Sequence, residues 1–133
     1  MIEPGTQTIW QAFSATASLY PDRALFNVMD ETAGIYGIEA GETSYREVSD
    51  QVTQLAAALQ EKGYGAGFRV MLLLENRPEF FVWLLALNQI GASVVPVNPD
   101  LRHSELTYMA GHSEPSLIVG IAARCDGLAA AAK

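Results

Sequence analysis

The chain has 133 residues, half of them hydrophobic and 17% charged, with a formal net charge of -7. That length can bury a core of its own, and that balance excludes a disordered chain. The acidity, with eight basic residues scattered along the chain, gives no electrostatic reason to seek nucleic acid or an anionic lipid surface.

Residues 8–20 carry Ile9, Ala12, Phe13, Thr16, Ala17 and Tyr20 at helical spacing, with Thr6 or Thr8 to cap the helix and Pro21 to stop it. Residues 24–29 (ALFNVM) predict a strand. Residues 30–42 (DETAGIYGIEAGE) are rich in glycine and acids and read as a hairpin or exposed loop leading to a short strand near Thr43. Ser44 and Glu47 have the S-x-x-E form of a capping box, and Val48, Val52, Leu55, Ala56 and Leu59 follow at helical spacing. Gly63 is placed to close that helix. Residues 69–74 (RVMLLL) are apolar without alternation, which predicts a strand buried on both faces.

The next helix opens with Asn76 as N-cap, Pro78 in its first turn and Glu79 at its positive end, and runs to Ile90 and Gly91. Its apolar residues lie on nearly every side, which predicts a helix covered all round. Residues 93–97 (SVVPV) read as a second buried strand. A third amphipathic helix follows over 101–112, with Leu106, Tyr108 and Met109 inward, and then a strand at 117–119. The apolar stretch 80–97 is no membrane span: Asn88, Gln89, Gly91 and Pro96 interrupt it, and a spanning helix needs about 20 apolar residues.

From residue 45 onward helices and strands alternate. The predicted fold class is α/β: a mostly parallel sheet flanked by helices on both faces through right-handed crossovers, with a β-hairpin near residues 24–44. One domain is expected over 1–133, with an Ala-rich tail at 121–133.

Few residues point to chemistry. The glycines of residues 62–70 (KGYGAGFRV) suggest a dinucleotide loop, but they leave a helix and open a strand, the reverse of the order such a loop needs, and Phe68 breaks the pattern. No G-x-x-x-x-G-K-[ST] loop or G-x-S-x-G elbow is present. His103 and His112 are nine residues apart, not a ligand pair on one helix face. The lone Cys125, beside only Arg124, cannot form an internal disulfide or a cysteine-cluster zinc site and reads as an inert thiol. The acids are dispersed, and Trp10 and Trp83 belong to apolar stripes. No catalytic residue and no metal ligand is assigned. The opening MIEPGTQTIW lacks a signal-peptide pattern, so the cytoplasm is the expected compartment.

One positional rule does select residues. Ligands of parallel α/β sheets bind outside the carboxyl ends of the strands. Three such ends fall at 75–77, 98–100 and 120–122. In the second, Pro96 and Pro99 stiffen the loop and Asn98 offers both a donor and an acceptor. The residues Asn98, Pro99 and Asp100 read either as a ligand-facing loop or as a plain strand-to-helix turn.

Four phrases resemble, in order and spacing, the N-terminal part of the AMP-forming acyl-CoA synthetases of the adenylate-forming superfamily. They are PDRALF (21–26), TSYREVSDQVTQLAAALQEKG (43–63), GFRVMLLLENRPEFFVWLLALNQIGASVVPVNPDL (67–101) and SELTYMAGHSEPSLIVG (104–120). Two departures, Phe68 where the family commonly has Asp and Arg102 where a Thr or Ser often caps a helix, concern local turns.

The resemblance implies an enzyme that joins a carboxylic acid to ATP, with magnesium, as an acyl-adenylate and then transfers the acyl group to coenzyme A. The family's phosphate loop and catalytic lysine have no counterpart in these residues. This chain is therefore expected to be an inactive N-terminal subdomain binding no cofactor itself, with ATP, magnesium and coenzyme A belonging to the parent enzyme. Its expected partners are the remainder of that enzyme and, through bare apolar surface, a second copy; the carboxylic acid and coenzyme A join the full protein. The resemblance places Asn98, Pro99 and Asp100 near the coenzyme A approach. Two alternatives stay open: a stand-alone α/β interaction module, and an adenylation domain serving a carrier protein.

Overall fold

The computed structural model describes residues 8–98, 100–121 and 129–130. Helix α1 (Ile9–Leu19) starts at a reciprocal cap: Thr8 Oγ1 accepts from Gln11 N at 3.1 Å, and Gln11 Oε1 accepts from Thr8 N at 2.9 Å. Strands β1 (Ala24–Val28) and β2 (Gly41–Ser44) pair antiparallel, with Phe26 opposite Thr43 and Val28 opposite Gly41. A tight hairpin does not join them. Between them lies a helix, α2 (Asp30–Tyr36), in the segment expected to be hairpin or loop. Asp30 and Glu31 complement its positive end, and Gly37, at φ 66°, closes it in the left-handed region. Gly34 inside the helix disguised it, since glycine weakens a helical pattern.

Helix α3 (Tyr45–Glu61) begins where Ser44 Oγ accepts from Glu47 N at 3.1 Å. Its Val48, Val52, Ala56 and Leu59 are buried, as their spacing predicts. Gly63 and Gly67 take positive φ between this helix and the next strand, so the glycine-rich segment is a turn.

Strand β3 (Arg69–Leu73) is the middle of a parallel sheet whose described strands run in the order β4-β3-β5, with β4 over Ser93–Pro96 and β5 over Leu117–Gly120. Its residues feed two cores. Val70, Leu72 and Leu74 pack with α3 and with α4 (Pro78–Ile90), while Met71 and Leu73 pack with α5 (His103–Ser113). This two-sided burial is why the strand reads as an unbroken apolar run. Helices α4 and α5 thus lie on opposite faces, as the sequence pattern predicts.

Four local expectations are corrected. Strand β4 is an edge of the described sheet, with Ser93 and Pro96 exposed; an edge tolerates a proline that has no N–H to give. Arg77, not Asn76, is the N-cap of α4, and its side chain makes no capping bond. Helix α4 is not covered all round, because Phe81 is 41% exposed. Tyr108 is 67% exposed and stacks on His112, with ring centroids 5.5 Å apart; Ala110, four residues after Leu106, fills the inward place. Where α5 lacks a Thr or Ser cap, Glu105 Oε2 accepts from Arg102 N at 2.7 Å. Arg124, Cys125 and most of the Ala-rich tail lie outside the described residues.

Candidate functional site

The carboxyl ends of β3 and β4 open on a cavity of about 570 Å³. Leu74, Phe80, Pro96 and Val97 give it apolar walls, and Glu75, Asn76, Asn98 and Asp100 add polar groups from the two strand-end loops. Two of the three strand ends selected by the positional rule therefore meet here. Gly120 and Ile121, the described residues of the third, do not line the cavity, and Ala122 lies outside the described residues. The strand order reverses between β3 and β5, the side where such sheets most often hold ligands. Here the concavity is on the β3–β4 side, where α2 supplies a wall through Tyr36.

Asn98 organises its loop. Its Oδ1 accepts from Asp100 N at 2.9 Å, and its backbone carbonyl accepts from Leu101 N at 3.3 Å. Such a side-chain turn holds the loop without regular structure. The Asn98 side-chain nitrogen has no protein acceptor among the described residues, and both Asn98 and Asp100 are exposed. Pro99, named with them, lies outside the described residues. Across the cavity Glu75 takes a left-handed conformation, φ 58°, uncommon for a residue with a side chain. It turns the chain from β3 into α4.

Tyr36 is the lining residue that sequence reasoning missed. The Arg77 guanidinium lies over its ring at 5.3 Å from the centroid, a cation–π contact that ties α2 to the start of α4. Arg77 Nε is buried and has no acceptor among the described residues. The available signal was the acid pair at 30–31 followed by Tyr36-Gly37, a helix start and stop seven residues apart.

Among the described residues no three His, Cys, Asp or Glu side chains come together as a metal-holding group, and no helix is long and apolar enough to cross a membrane. The cavity combines apolar side chains, two amides and two carboxylates.

Residues 13–133 match the AMP-binding enzyme family. The chain belongs to that family. It is 34% identical to tyrocidine synthase 2 of Brevibacillus parabrevis over 113 residues, which are 85% of this chain and 3% of that protein. It is 30% identical to the crotonobetaine/carnitine–CoA ligase of Salmonella paratyphi A over 86% of this chain and 21% of the ligase. A provisionally assigned long-chain-fatty-acid CoA ligase from Rhodopseudomonas palustris has the same fold, with a TM-score of 0.80 at 26% identity, over 97% of this chain and 30% of that one. The N-terminal subdomain of Klebsiella oxytoca NpsA, solved with 3-hydroxyanthranilyl-AMSN, gives 0.73 at 25% identity over 86% of this chain and 27% of that one. The chain thus spans under a third of each of these AMP-binding relatives, and its α/β architecture is that of the N-terminal subdomains of adenylate-forming enzymes.

Proposed function

We propose that this chain supplies the N-terminal subdomain of an acid–thiol ligase whose acceptor is coenzyme A. In the complete enzyme a carboxylate oxygen attacks the α-phosphorus of ATP, and pyrophosphate leaves. A thiol sulfur then attacks the acyl carbon, and AMP leaves. The family match over residues 13–133 carries the adenylate-forming part of this reading, and the choice of acceptor rests on the cavity and the relatives. The residues of this chain offer no phosphate loop, so adenylation is assigned to sequence outside these 133 residues, together with ATP and magnesium.

The part proposed for this chain is the acceptor side, through Asn98, Pro99 and Asp100, of which Asn98 and Asp100 line the strand-end cavity. Its chemistry favours one portion of the acceptor. Glu75 and Asp100 repel phosphate groups, whereas apolar walls with scattered amides suit an uncharged arm bearing amides and a thiol. Coenzyme A and a phosphopantetheinylated carrier protein share that arm. The 30% identity with a CoA ligase supports coenzyme A, and the 34% identity with tyrocidine synthase 2 supports the second reading, an adenylation domain serving a carrier protein.

The test uses the protein of natural length, a panel of carboxylic acids and a pyrophosphate readout, followed by coenzyme A or a carrier protein as acceptor. Thioester formation with coenzyme A supports the first reading, and turnover with the carrier alone supports the second. Absence of carboxylate-dependent pyrophosphate across the panel would remove both and leave the interaction module. Asn98→Ala is expected to raise the acceptor's KM while leaving the first step intact. An unchanged KM would reduce the loop to a turn.

A further inference from the structure

A groove of about 520 Å³ over α1, β1 and α4 is walled by residues none of which, among those described, is charged. The strand-end cavity is built differently, because one of its walls is held by a cation. Tyr36 lines that cavity, and the Arg77 guanidinium lies over its ring at 5.3 Å from the centroid.

The two partners stand on unequal ground. Helix α2 is seven residues long and contains Gly34, so it is marginal by itself. Its N-cap Met29 makes no side-chain bond, and among its described residues only Ala33 is buried. Little within the helix therefore fixes where Tyr36 stands. Arg77 is better anchored. It is the N-cap of α4, between Glu75, at φ 58°, and Pro78, whose ring fixes its own φ.

That elbow carries two local costs. In a chain with 15 acidic residues Arg77 forms no ion pair among the described residues, and its buried Nε has no acceptor there. A buried donor left unpaired and a side chain in the left-handed region each cost stability. Both costs fall within residues 75–77, of which Glu75 and Asn76 line the cavity. Such costs gather where geometry serves a site more than the core.

We propose that Arg77 is a positioning residue: it pins the Tyr36 ring as the wall that narrows the strand-end cavity around the uncharged, amide-bearing arm of the thiol acceptor. Arg77 is not among the described lining residues and acts through Tyr36. The proposal rests on reading the chain as part of an acid–thiol ligase.

The test uses the protein of natural length, with coenzyme A or a phosphopantetheinylated carrier as acceptor, whichever the unmodified protein turns over. Hydrogen exchange of peptides covering residues 30–37 is the second readout. Arg77→Met keeps much of the side chain's bulk and removes its charge. It is expected to raise the acceptor's KM about tenfold, as for the loss of a partly desolvated cation–π contact, with kcat held and exchange over 30–37 quickened. Tyr36→Leu is expected to do the same, and the double variant no more than either alone, because both remove one contact. Arg77→Lys, which keeps the charge, and Tyr36→Phe, which keeps the ring, are expected to recover most of the loss. Ile35→Ala, on the same helix but 74% exposed and outside the cavity lining, is the reference. Should Arg77→Met not fold, Tyr36→Leu reads the same contact.

An unchanged KM in Arg77→Met overturns the proposal even if exchange quickens, because the contact is then a plain tie between α2 and α4. Unchanged exchange over 30–37 overturns it as well. So do equal losses in pyrophosphate release and thioester formation, which mark a general structural defect. The functional reading fails separately, in the unmodified protein: no carboxylate-dependent pyrophosphate and no thioester with either acceptor sinks that reading and the positioning role with it. Turnover by the unmodified protein that Arg77→Met reproduces in full sinks the positioning role alone.

Discussion

The cavity at the ends of β3 and β4 and the groove over α1 and α4 are close in volume, about 570 and 520 Å³, and differ in what builds them. The cavity is walled largely by loop residues and carries amides and carboxylates; the groove is walled by helix and strand side chains and carries no charge among its described residues. Polar groups placed by a rigid sheet can orient a small ligand, whereas an uncharged apolar hollow offers packing contacts only. Two concavities of similar size on one small fold therefore present different chemistry.

The largest expected effect strikes the scaffold beneath the groove. Leu72 is fully buried in the core formed with α3 and α4, and Leu72→Ala is expected to lose about 2–5 kcal/mol by urea denaturation. A loss near zero would mean that β3 does not carry the sheet. Phe81→Ala sharpens the contrast between core and groove wall. Its ring meets Phe26 and Phe80 but remains 41% exposed, so the isolated chain should lose only about 1 kcal/mol. A loss matching that of Leu72 would make this wall part of the core.

Asn88→Ala leaves Trp10 N–H without its acceptor. It should lose about 0.5–1.5 kcal/mol and speed amide exchange in α1 while leaving exchange around residues 98–101 unaltered. Faster exchange at both places would show that groove and cavity are one cooperative unit. Asn98→Ala has the smallest stability effect, about 0.5 kcal/mol, because the bond to Asp100 N is solvent-exposed. Its larger consequence is expected in acceptor binding by the complete enzyme.

What could be read ahead of the structure follows the same division. The parallel unit was legible because its signals are local: the cap at Ser44, the apolar run 69–74, and Gly91, which closes α4 at φ 80°. The strand-end rule singled out Asn98 and Asp100 from chain order alone, and both line the cavity. Tyr36 was not legible, because its place depends on α2, where Gly34 breaks the helical pattern, and on Arg77 reaching it across 41 residues. The exposure of Phe81 was hidden for a different reason. Hydrophobic sequence predicts burial without saying against what, and the described chain leaves one side of α4 open. Residues 93–97 read as a buried strand because three valines and a proline do not reveal that a sheet ends there.

The most direct measurement of the account is carboxylate-dependent pyrophosphate release from ATP, compared between the 133-residue chain and the protein of natural length. The account predicts release by the longer protein and none by the 133-residue chain, whose cavity presents carboxylates and amides but no phosphate loop. Release by the 133-residue chain alone would contradict it.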